Sequence, residues 1–106
     1  MELLRGTLDM LVLKALTQGP MHGYGVARWL EAATSDALSV EEGSLYPALR
    51  RLMDRGWVRA EWGISENNRR ARYYTLTDRG RAQLEREVSE WDRFSGVVRE
   101  VLDVPE

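Results

Sequence analysis

The chain has no cysteine, one histidine (His22), three prolines and one phenylalanine among its 106 residues. Without cysteine there is no disulfide framework and no thiolate metal site, and a reducing, cytoplasmic setting is the default. No apolar run reaches the roughly 18 residues of a membrane span, and the N-terminus lacks the basic, apolar, small-residue succession of a secretion signal. One His, no Cys and no glycine-rich phosphate loop leave no nucleophile beside a matched base and no recognisable metal set. The inventory suits a binding protein with no cofactor better than an enzyme. Glu41 and Glu42 are helix neighbours that diverge by about 100°, so they are not a convergent acid and base.

What is present is arginine, and it is unevenly spread. Of the 15 basic residues 14 are Arg, against 17 acidic ones. Met1–Val40 carries 3 basic and 4 acidic residues, Glu41–Arg81 carries 9 and 6, and Ala82–Glu106 carries 3 and 7, so the net charges are -1, +3 and -4. An even spread of the formal charge of -2 would argue against nucleic acid; segregation leaves a basic middle. Arg suits bidentate phosphate and guanine contacts, although an arginine-preferring genome would produce the same bias. A chain of this length, 43% hydrophobic, buries one modest core, and further stability would come from a partner.

The stretch Ser39–Trp57, SVEEGSLYPALRRLMDRGW, reads as a helix with two faces. Leu45, Leu49, Leu52 and Met53 form a core-facing stripe. Gly43, Ser44, Tyr46, Pro47, Arg50, Arg51 and Asp54 form a face without aliphatic bulk, free to touch something else. Ser39 with Glu42 has the capping-box form and predicts a start at Val40, with Gly56 as the stop. Pro47 would leave the Gly43 carbonyl without a donor, so the alternatives are a bent helix from Val40, which we favour, or a start nearer Gly43.

Upstream, Leu3–Gln18 predicts a first helix with Leu8, Leu11, Val12, Ala15 and Leu16 on one face and Leu4, Met10 and Leu13 elsewhere, closed by Gly19–Pro20. A second follows over about Gly23–Ala33, with Val26, Ala27, Leu30 and Ala33 inward, Tyr24, Arg28 and Glu31 more outward, and His22 at its mouth, better suited to capping or to a phosphate than to metal. Downstream the period changes to two: Val58, Ala60 and Trp62 alternate with Arg59 and Glu61, the pattern of a strand with one covered face. Arg70–Leu76 alternates likewise, and the Gly, Ser and Asn of Gly63–Asn68 predict a hairpin with Arg69, Arg70 and Arg72 at or near its tip. Such arginines suit a DNA backbone; equally, they could keep an exposed edge from aggregating.

Thr77 is placed to cap a helix over Asp78–Leu102, about 37 Å long and longer than the core requires. Leu84, Val88, Trp91, Ser95, Val98 and Leu102 recur at steps of four and three, and Phe94, Val97 and Val101 form a second stripe beside them. One stripe can lie on the first helix; the other calls for a second copy, unless the helix frays after Gly96. The fold class is mainly α with a small β-hairpin: a winged helix-turn-helix over residues 1–77 and a long C-terminal dimerisation helix over 78–106, packed on the same domain.

LRGTLDMLVLKAL, GPMHGYGVARWLE, EEGSLYPALRRLMDRGWVRAEWG and RRARYYTLTDRGRAQL, in this order and over nearly the whole chain, resemble the PadR-like transcriptional regulators. The single C-terminal helix resembles the short-form subgroup. The resemblance implies a homodimer that binds double-stranded operator DNA, an inverted repeat, through the third helix and the wing, usually as a repressor released by a small molecule or another signal. Expected DNA contacts are His22, Tyr24, Ser44, Tyr46, Pro47, Arg50, Arg51, Arg69, Arg70 and Arg72. Expected dimer contacts are Leu4, Met10, Leu84, Val88, Trp91, Phe94, Val98 and Leu102. Trp91, in SEWDRF, matches a position lining the central pore of some drug-sensing members, so a flat apolar or aromatic effector is expected among Leu8, Met10, Trp91 and Phe94; the alternative is an indole that only fills the dimer core. An alternative function is a winged-helix module that binds another protein without operator binding.

Overall fold

The structure, a computed structural model, describes residues 6–106. Its elements are α1 (Thr7–Leu16), β1 (Met21–His22), α2 (Gly23–Ala33), α3 (Glu42–Asp54), β2 (Val58–Ile64), β3 (Arg70–Leu76) and α4 (Asp78–Leu102). The three strands form one antiparallel sheet in the order β1-β3-β2. Val12, Leu13 and Leu16 of α1, Val26 and Leu30 of α2 and Leu45, Leu49 and Leu52 of α3 close a core onto which Val58, Tyr74 and Leu84 pack. Truncating one of these leucines to alanine costs about 2–5 kcal/mol.

Among the described residues α1 is shorter than expected, because Gly6 precedes it with φ of 88°, a left-handed conformation outside any helix. The expected Leu3–Arg5 portion, with Leu4, lies outside the described residues. The start of α3 also differs. Its N-cap is Glu41, without a side-chain capping bond, and the Ser39–Glu42 capping box does not form. Leu38 and Val40 are both buried while Ser39 is exposed, and Glu41 after them is extended, so the chain enters the helix only there. Pro47 therefore lies near the start of a helix that begins close to Gly43, and the carbonyl it leaves without a donor belongs to an exposed residue.

The wing emerges from the core gradually. Val58 is buried and Ala60 half-buried, but Trp62 is 61% exposed, against the expectation of one covered face, because the helices cover only the base of the sheet. The short strand β1 was not legible: two residues between Pro20 and Gly23 are too few to show a period. Its register with β3, Met21 opposite Tyr74 and His22 opposite Tyr73, ties the entrance of α2 to the wing.

The long helix runs over the expected residues. Thr77 Oγ1 accepts from the Gly80 amide at 3.0 Å and donates to the Gly56 carbonyl at 2.8 Å, so one hydroxyl caps α4 and fastens it to the end of α3; such a cap contributes about 1 kcal/mol. Gly80 is required by contact, since a Cβ there would run into the Trp57 carbonyl oxygen. Leu84 and Leu8 correct the expectation. Both are buried in the chain's own core, so neither is available to a dimer face or an effector pocket. Past Leu84 the helix continues beyond the core, and the molecule extends 58 × 29 × 21 Å.

Candidate nucleic-acid interface

The outer face of α3, the N-terminus of α2 and the inner face of the wing enclose an open groove of about 530 Å³, lined among others by His22, Tyr24, Tyr46, Arg69, Arg70 and Arg72. Six of the ten expected contact residues thus meet in one place. Ser44, Pro47 and Arg50 are exposed on α3 but outside the groove lining.

Each side chain is held by a local cause. His22 ends β1 and caps α2: its Nδ1 accepts from the Gly25 amide at 3.0 Å, so in the neutral ring Nε2 carries the proton. Nε2 lies 3.7 Å from a carboxylate oxygen of Glu66 in the wing turn, and the ring meets Tyr73 edge-on at 5.5 Å. Tyr46 lies across the start of α2, where a Cβ on Gly23 would sit 2.6 Å from its hydroxyl. Burial raises the Tyr46 pKa, helped by the charge of Glu42, so its hydroxyl stays protonated and able to donate. In the wing the Ser65 amide donates to the Arg69 carbonyl at 2.8 Å and Asn68 takes the left-handed conformation, which closes the turn and sets Arg69 at its edge.

The arginines divide by partner. Arg50 reaches Asp54 one turn on at 3.2 Å, both largely exposed, a pairing worth little in water and readily exchanged for a phosphate. Arg51 faces α1, where Asp9 engages it at 2.7 Å and raises its pKa through that hydrogen bond. Sequence periodicity could not separate these two neighbours. Among the described residues no carboxylate lies within ion-pair distance of Arg69, Arg70 or Arg72. Arg70 instead stacks on Trp62, its Cζ 4.4 Å from the ring centroid. Trp62 lines the groove as well, although its alternation with Arg59 and Glu61 points to the covered side of the strand.

Residues 12–86 match the Transcriptional regulator PadR-like family. The chain belongs to this family. A PadR family transcriptional regulator from Eggerthella lenta superposes with a TM-score of 0.82 at 32% identity, covering 95% of this chain and 86% of that one. A transcriptional regulator from Clostridium thermocellum gives a TM-score of 0.83 at 27% identity, covering 91% and 93%. The negative transcriptional regulator PadR of Bacillus subtilis is 27% identical over 77 residues, which are 73% of this chain and 42% of that protein. Among the described residues the four helices and the winged sheet match the fold of these regulators.

The C-terminal helix carries a second surface. Val88, Trp91, Phe94, Val97, Val98, Val101 and Leu102 of α4 are all exposed. A smaller cavity of about 280 Å³ lies where α4 crosses the start of α1, lined by Gly6, Thr7, Met10, Glu87, Glu90, Trp91 and Phe94. It brings together three of the four expected effector residues, with two glutamates the sequence reading did not include. No helix among the described residues is long and apolar enough to cross a membrane.

Proposed function

We propose that the chain is a cytoplasmic, homodimeric repressor that binds an inverted-repeat operator through α3 and the wing. The observation that carries this reading is the groove between those elements, bordered by three arginines without carboxylate partners among the described residues and by protonated tyrosine. Arg69, Arg70 and Arg72 suit phosphate contacts, which position the protein, while Arg50, on the exposed face of α3, suits a base edge. The apolar stripe of α4 supports pairing with a second copy, which a short chain needs to cover so many large exposed side chains. In a two-fold dimer the recognition helices enter successive major grooves about 34 Å apart.

The cavity beside Trp91 supports a flat effector stacked on the indole. Glu87 Oε2 is buried without a hydrogen-bond partner, so a guest bearing a cation or N–H donors would satisfy it. Release of DNA follows only if such a guest binds the two arrangements of the recognition helices unequally. A gel shift on the DNA upstream of the chain's own gene, with salt varied, tests operator binding. Retention of a discrete fragment that weakens steeply with salt is expected. No shift at low salt would leave only a protein-binding winged helix.

A further inference from the structure

Trp62 is the largest side chain on the wing, yet it contributes little to the core. Val58 and Ala60, on the same face of β2, supply the burial at the base of the sheet, and Trp62 stands 61% exposed beyond them. Its cross-strand partner is Arg72, and Arg70 lies opposite Ile64, so both arginines share the face of the wing that carries the indole. The Cζ of Arg70 lies over that indole, 4.4 Å from its centroid.

A contact of this kind engages the guanidinium on the side of the ring and leaves the N–H donors turned away from it free for another partner. It also holds a long side chain that would otherwise lose rotamer freedom when it met a phosphate. No carboxylate lies within ion-pair distance of Arg70 among the described residues, and Glu66, the acid in the wing turn, faces His22. We propose that Trp62 is a positioning residue for DNA: it holds the Arg70 guanidinium over the wing so that its free N–H donors meet a backbone phosphate beside the site contacted by α3. This rests on the DNA-binding reading above and adds to it a residue whose side chain carries no charge.

The test is fluorescence anisotropy on a labelled upstream DNA fragment, over a range of salt, with full-length wild type, W62A, W62F, R70A and the W62A/R70A double variant. R70A and W62A should each weaken binding about tenfold and flatten the log–log salt slope by about 1, since both remove the same phosphate contact. The double variant should bind no more weakly than R70A, and W62F, which keeps an aromatic face, should retain most of the affinity. A purely structural Trp62 would not move the salt slope. Should W62A fail to fold, W62T, with a side chain suited to a strand, replaces it. Full affinity in W62A, or losses that multiply in the double variant, would overturn the proposal. If wild type binds and R50A weakens it while W62A does not, only this inference falls; if wild type binds no duplex, the DNA-binding reading falls with it.

Discussion

Asp9 of α1 and Arg51 of α3, 42 positions apart, meet as a two-pronged pair: Arg51 Nη2 donates to Oδ1 at 2.7 Å and Nε to Oδ2 at 3.2 Å. The geometry fixes how the outer face of α3 is turned, because one of its two adjacent arginines is engaged by the core helix beside it. That leaves Arg50 as the more available one. Arg51 is half exposed, so after screening by solvent the pair is worth about 0.5–1 kcal/mol. Replacing Asp9 with Asn should lower the thermal midpoint slightly and strengthen non-specific DNA binding at low salt, because it removes a negative charge and releases a guanidinium. Melting curves and anisotropy on unrelated duplex would show this; unchanged non-specific affinity would mean that Arg51 does not face the DNA once freed.

Arg50 and Arg51 should also separate in their effects on an operator. R50A is expected to cost about 1–3 kcal/mol and to relax discrimination at one base position, while R51A alone costs less. Full operator affinity in a variant lacking both would remove α3 as the reading element.

Glu87 should make stability fall with rising pH. Burial raises its pKa above the usual 4.5, and the Asp9 and Glu90 charges add to this, while the nearby Gln83 amide and the Arg55 charge oppose it. A carboxyl group whose folded pKa is raised binds more protons in the native state, so stability declines from 4.5 upward through the raised value and the full penalty stands above it. E87Q should therefore melt higher than wild type at neutral pH and lose that advantage below the ordinary glutamate range. Parallel melting curves at all pH values would show that Glu87 is relieved by another route.

The two halves of α4 should respond differently to substitution. Replacing Val98 and Leu102 with Asp should yield a monomer or an unfolded chain in sedimentation, and the wild-type melting temperature should rise with concentration if pairing supports the fold. L84A, in contrast, should cost about 2–5 kcal/mol through the core of a single chain. A stable dimer in the double Asp variant would place the interface elsewhere.

G23A tests the seat of Tyr46. The added Cβ would fall 2.6 Å from the tyrosine hydroxyl, and the half-exposed side chain has room to swing away. Stability should change by less than about 1 kcal/mol while DNA affinity falls. An unaltered affinity would show that the position of Tyr46 over α2 is not used.

Planar dyes titrated against tryptophan emission, in wild type and W91A, examine the α4 cavity. Loss of quenching and affinity in W91A is expected with Trp29, Trp57 and Trp62 as background. Responses that survive the substitution unchanged would move the guest to another site.

Local signals in the chain were enough to place the elements that terminate locally. Thr77 marks the start of α4, Gly19–Pro20 closes the first helical segment, and the change from a period near 3.6 to a period of two after Gly56 announces the wing, because caps, breakers and periodicity act over a few neighbouring residues. Leucine spacing likewise marked the buried face of α3. What the sequence did not determine depends on partners remote along the chain. Ser39 and Glu42 look like a capping box, but the core buries Leu38 and Val40 ahead of the helix, so burial outweighs the local cap. Leu84 continues the stripe of Val88 and Trp91, and only the length over which α1 lies on α4 decides that the core ends there. Alternation puts Trp62 on the side of Val58 without showing where the covering helices stop. Arg50 and Arg51 have the same charge and chemistry; it was the arrival of Asp9 from α1, a tertiary contact with no local trace, that made Arg51 a helix fastening and left Arg50 with only its helix neighbour Asp54.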